Sequence, residues 1–130
     1  MTAELISPQP TSRALTAAQL TRMRTRLVAD LQDARNLADS LRHDIASGIE
    51  ARRGSTNDEV DDPEGSGIAM DAAQASAMLD QTLRHVAEID AALVRIDGGS
   101  YGECSACGKA IPMGRLDARP ATEHCISCAA

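Results

Sequence analysis

The chain has 130 residues, one domain's worth, and a single aromatic residue, Tyr101, with no Trp or Phe. Its apolar content therefore rests on Ala, Leu, Ile, Val and Met, which suit a narrow helix-helix seam better than a thick multilayer core. The net charge of -6 has the wrong sign for gripping a nucleic-acid backbone. No run approaches the length of a membrane span, and the N-terminus carries neither a basic leader nor an apolar run suited to export, so a cytoplasmic protein without membrane attachment is expected.

Residues 1–14 hold Pro8 and Pro10 among polar residues and read as an arm without committed structure. Order is expected from about residue 15. Thr16 and Gln19 spell a capping box, in which each side chain satisfies a backbone donor at a helix start. Leu20, Leu27, Ala34 and Leu41 then recur every seven residues, and Leu31, Ala38 and Ile45 form a second series four positions on. Together they make one apolar stripe along a helix. Arg22, Arg24, Arg26, Asp30, Asp33, Arg35, Asp39 and Arg42 fall off that stripe and read as a solvated face.

Between Gly54 and Gly67 lies an acidic loop with Asp58, Glu59, Asp61, Asp62 and Glu64 and no base. Glycines and Pro63 interrupt the helix there, and carboxylates this dense repel one another toward an exposed bend. The spacing does not follow a calcium-loop register. On composition alone the bend is either a working acidic tip or a solubilising turn. A second stripe follows: Ala72, Ala75, Leu79, Thr82, Val86, Ile89, Leu93 and Ile96, closed by Gly98-Gly99, a helix stop. Two helices of about 30 residues, each about 45 Å long, bury their stripes most economically against each other. The fold class expected is all-α: a long antiparallel coiled-coil hairpin over 15–99, followed by a small C4 zinc finger over 100–130.

The finger is read from Cys104, Cys107, Cys125 and Cys128, two C-x2-C knuckles 17 residues apart and the only cysteines present. Each knuckle wraps two sulfurs around one side of a tetrahedral ion, and four soft thiolates select zinc. With no open coordination position, one structural Zn2+ per chain is expected, and no catalysis at the metal. His124 adjoins Cys125 but is read as a bystander, because the four thiolates complete the set. His43 and His85 have no partner at metal-binding spacing and receive no role.

At this point the sequence resembles a known family. Tyr101-Gly102-Glu103-Cys104-Ser105-Ala106-Cys107-Gly108, Ile111, Arg115-Leu116-Asp117-Ala118-Arg119-Pro120 and Cys125-Ile126-Ser127-Cys128 are similar, almost position by position, to the C4 zinc finger of the DksA/TraR family. The resemblance implies a non-enzymatic transcription regulator that binds RNA polymerase directly. Its hairpin is expected to enter the secondary channel and bring the acidic tip, Asp58, Glu59, Asp61, Asp62 and Glu64, near the catalytic region. It also implies that Arg115 and Arg119 mainly shape the connector; as cations near clustered thiolates they are read here as supporting the metal site from behind.

Two departures stand out. The family tip reads D-x-x-D-x-A; here Asp58-Glu59-Val60-Asp61 supplies the acids but Pro63 replaces the alanine, so Asp61-Asp62-Pro63-Glu64 is an alternative tip. Positions that carry bases in alarmone-responsive members hold Gln81, Glu88 and Ala129, which argues against a guanosine tetraphosphate site. The sequence ends two residues past Cys128, so the C-terminal helix of longer members is not expected. Two other classes compete: a nucleic-acid-binding zinc ribbon using Lys109, Arg115 and Arg119, and a zinc-capped coiled-coil oligomerisation module whose helices pair between chains.

Overall fold

The computed structural model describes the backbone of residues 15–54 and 63–129 and the side chains of residues 15–50 and 70–129. It is all-helical: α1 (Ala17–Gly54), α2 (Pro63–Gly98), a short α3 (Met113–Ala118) and a 3-10 turn (Ile126–Cys128). The two long helices pack as a hairpin, and the cysteine-bearing segment follows. Two compact units divide the chain. One joins the chain up to Asp30 with the chain from Glu88 onward, and the other comprises Leu31–Ala87.

Helix α1 starts where its cap directs. The Thr16 N–H donates to Gln19 Oε1 at 2.8 Å and the Gln19 N–H donates to Thr16 Oγ1 at 3.0 Å, the reciprocal pair of a capping box. In the first unit Met23 and Leu27 of α1 and Ile89 and Ala92 of α2 are fully buried. In the second, Leu31, Ala34, Ala38 and Leu41 line α1 and Thr82 is buried on α2. Thr82 avoids an unsatisfied hydroxyl by donating to the Met78 carbonyl at 2.8 Å. Leu20 and Ile45 sit at the half-buried margins of the stripe. Met23 is its unanticipated member: the steps Met23, Leu27, Leu31 are four and four, a local slip from strict heptads that a seven-residue series passes over.

The bend differs from the sequence reading at one end. Helix α2 begins at Pro63, not after Gly67. Proline lacks an N–H that the first turn leaves unpaired anyway, and its fixed φ suits a helix start, so Pro63 initiates where it was expected to interrupt. Glu64 is thereby a helical residue, whereas Asp58, Glu59, Asp61 and Asp62 lie outside the described residues, as does the arm at 1–14. At the far end Gly99, with φ of 86°, follows the last residue of α2. The Ser100 N–H donates to the Arg95 carbonyl at 2.9 Å and the Gly99 N–H to the Ile96 carbonyl at 3.3 Å. These are the two bonds of a Schellman motif, and they turn the chain from α2 into the cysteine segment. Among the described residues no helix is long and apolar enough to cross a membrane.

Candidate metal centre

The first knuckle is built on a tight two-sided turn. Ile111 N–H donates to the Gly102 carbonyl at 2.7 Å and Cys104 N–H to the Lys109 carbonyl at 2.8 Å, with a single antiparallel bridge between Glu103 and Ala110. Inside this loop Gly108 N–H reaches back to the Cys104 carbonyl at 2.8 Å. Gly108 adopts φ of 78°, a left-handed turn that a side chain resists. The second knuckle is a 3-10 turn, Ile126–Cys128, with Cys128 N–H donating to the Cys125 carbonyl at 3.0 Å. Residues three apart eclipse one another on such a turn, so Cys125 and Cys128 present their sulfurs on one side.

Both knuckles converge. The four sulfurs of Cys104, Cys107, Cys125 and Cys128 lie within 4.8 Å of one another, and all four are free thiols. Cys107 Sγ and Cys125 Sγ are 3.8 Å apart. Four sulfurs at ~2.3 Å from a tetrahedral Zn2+ stand about 3.8 Å from each other, whereas a disulfide requires ~2.0 Å. Donor chemistry and spacing thus suit one structural zinc ion. The Cys104 pKa is lowered to about 6, chiefly by backbone hydrogen bonding from Cys125, against the opposing effect of burial. Cys128 is pushed up to about 12, first by its hydrogen bond with the Cys125 side chain and then by those with Cys104 and Cys107. Thiols crowded this closely share their protons until a cation replaces them.

A small core and a set of arginines hold the cluster in place. Tyr101, Ile111 and Leu116 are buried, and the Tyr101 hydroxyl donates to the Pro120 carbonyl at 2.7 Å. Burial pushes the Tyr101 phenol up to about 12, although Arg95 and Arg26 nearby pull the other way. Arg26 of α1 donates to the Asp117 carbonyl at 2.7 Å in the last turn of α3. Arg22 pairs with the Asp117 carboxylate at 3.2 Å, and Arg24 pairs with Asp97. These arginines, expected on a solvated face, therefore tie α1 to the base of α2 and to the connector, although such half-exposed pairs contribute little each.

Arg115 carries more of the support than Arg119. Its Nε donates to the His124 carbonyl at 2.8 Å and its Nη2 to Thr122 Oγ1 at 3.3 Å. Arg119 is exposed, and its backbone N–H closes α3 on the Arg115 carbonyl at 2.8 Å. His124 turns its Nε2 toward Ser105 Oγ, 3.3 Å away. Sequence reasoning missed Arg95, whose Nη2 donates to the Thr122 and Ala121 carbonyls at 3.2 and 3.5 Å. A cation in the last turn of a helix is the only local signal it offers; its partners lie 26 and 27 residues away.

Residues 99–130 match the prokaryotic dksA/traR C4-type zinc finger family. Through this segment the chain is similar to the DksA/TraR C4 zinc fingers. It is 52% identical over 42 residues, 32% of this chain, to an uncharacterised protein of Aquifex aeolicus. It is 37% identical over 49 residues, 38% of this chain, to the RNA polymerase-binding transcription factor DksA of Haemophilus influenzae. The aligned stretches span 29% and 34% of those two proteins. The structure of transcription factor DksA2 from Pseudomonas aeruginosa shares the fold, with a TM-score of 0.74 and 24% identity over 92% of this chain and 86% of that one. The DksA/TraR likeness therefore covers the finger by sequence and the hairpin by fold.

Proposed function

We propose that this protein is a transcription regulator that binds RNA polymerase directly, its hairpin entering the secondary channel and its acidic bend approaching the catalytic region. The observation that carries the reading is a DksA/TraR finger placed directly behind a two-helix hairpin of the same fold. A hairpin suits a narrow channel. Asp58, Glu59, Asp61, Asp62 and Glu64 at its bend suit a site that handles nucleotides with magnesium and basic side chains. The regulator acts by contacting some polymerase states better than others, and so shifts the lifetime of promoter complexes without chemistry on a substrate. One structural Zn2+ held by Cys104, Cys107, Cys125 and Cys128 completes the finger, and the protein works in the cytoplasm.

Two particulars weigh against the competing classes. Arg115 is committed to the His124 carbonyl and Thr122, which leaves a nucleic-acid patch only Lys109 and Arg119. The apolar stripes are satisfied within one chain by Met23, Leu27, Ile89 and Ala92, so oligomerisation is not needed to bury them. The reading makes no use of guanosine tetraphosphate, since Gln81 and Glu88 supply no cation.

A pull-down with core polymerase tests it, comparing the intact chain with Asp58→Asn/Asp61→Asn/Asp62→Asn. Both forms are expected to be retained, and only the intact chain to change promoter-complex lifetime. Retention of neither overturns the reading. Salt-dependent binding of the protein alone to DNA points to the zinc ribbon, and concentration-dependent dimers in light scattering point to the oligomerisation module.

A further inference from the structure

Residues 121–124, the stretch that delivers the second knuckle, are gripped from three directions. Arg95 at the end of α2 holds the carbonyls of Ala121 and Thr122. Ser105, inside the first knuckle, donates its N–H to the Glu123 carbonyl at 2.9 Å. Arg115 on α3 holds Thr122 Oγ1 and the His124 carbonyl. Thr122 closes the set, its Oγ1 accepting from the His124 N–H at 3.3 Å.

The Arg115 contact differs from the others in where it leads. The His124 carbonyl belongs to the peptide that links His124 to Cys125. The N–H of that same peptide is that of Cys125, the first ligand of the second knuckle, so the 2.8 Å contact from Arg115 acts one bond away from the metal-binding residue itself. A guanidinium on the carbonyl side fixes the plane of this peptide and polarises it, so its N–H becomes a better donor. Four thiolates around Zn2+ form a doubly negative unit. Donors and a permanent cation beside such a unit stabilise it, and groups behind metal ligands typically set affinity by factors of ten or more.

We propose that Arg115 is the positioning residue of the metal centre: through the His124–Cys125 peptide it holds the second knuckle ready for the ion, and its charge offsets that of the loaded site. This rests on the metal-site reading and not on polymerase binding. Removal of Arg115 then leaves all four ligands in place but loosens the angle at which Cys125 and Cys128 meet Cys104 and Cys107.

The test is the rate at which the zinc-loaded protein gives up its ion to a chromophoric chelator, with Co2+ substitution as the spectroscopic check on the thiolate set. One zinc per wild-type chain comes first, because its absence sinks the metal-site reading and leaves Arg115 out of the matter. Arg115→Ala is expected to release zinc about 10- to 100-fold faster, with a Co2+-thiolate band shifted in shape while helical circular dichroism is retained. Arg115→Lys, which keeps the charge but not the two-pronged donation, is expected to fall between. Arg119→Ala, on the same connector with its side chain exposed, is expected to match wild type. Wild-type release from Arg115→Ala, or equal acceleration by Arg119→Ala, overturns the proposal. Should Arg115→Ala lose its helical signal, Arg115→Lys decides: faster release supports the role and wild-type release refutes it.

Discussion

Tyr101 is the residue at which the finger's small core can be read most directly. Its side chain is 6% exposed, its hydroxyl donates to the Pro120 carbonyl, and burial raises its pKa from 10.0 to about 12. Because the folded value lies above the unfolded one, the phenol's contribution to stability is complete below pH ~10 and declines as pH rises toward ~12. Ultraviolet titration is clean here, since this is the chain's only tyrosine and tryptophan is absent. The folded protein is expected to show little tyrosinate at pH ~11, and a titration midpoint near that of free tyrosine contradicts the buried phenol. Tyr101→Phe is expected to cost about 1–2 kcal/mol by stranding the Pro120 carbonyl. At this scale the cysteines were legible because ligand spacing is local: each knuckle is complete within four residues. Arg95 and Thr122 were not, because their roles depend on a meeting of segments that only the folded connector brings about.

At the scale of elements, α1 was legible almost residue by residue. The capping box at Thr16 and Gln19 forms as spelled, and the seven-residue series marks Leu27, Leu31, Ala34, Ala38 and Leu41, all buried. Met23 and Ala92 escaped because both are buried at positions off the periodic series read from the sequence. Pro63 was misjudged as a pure breaker, whereas proline interrupts a helix only from its interior. Leu27 and Val28 are adjacent but opposite in role, at 0% and 51% exposure. Leu27→Ala is expected to destabilise the hairpin by about 2–5 kcal/mol, and Val28→Ala by no more than about 0.5 kcal/mol, in urea unfolding followed by helical circular dichroism. Equal costs for the two substitutions contradict the packed seam.

For the molecule as a whole, charge separates as cleanly as structure does. Leu31–Ala87 holds five arginines against eleven acidic residues, so the net charge of -6 resides in that unit, and the rest of the chain balances. An anionic hairpin unit joined to a neutral one that carries the four-cysteine cluster favours a partner with a basic recess over bare nucleic acid. Formal charge is counted directly from the sequence; what the bend touches is written in no local pattern. The claim on which the account turns is that the bend meets polymerase. A photo-crosslinking amino acid in place of Glu59, with the intact chain and core polymerase, tests it in one measurement. The account predicts crosslinks to the large polymerase subunits that line the route to the catalytic centre; no polymerase crosslink, or crosslinks to promoter DNA alone, contradicts it.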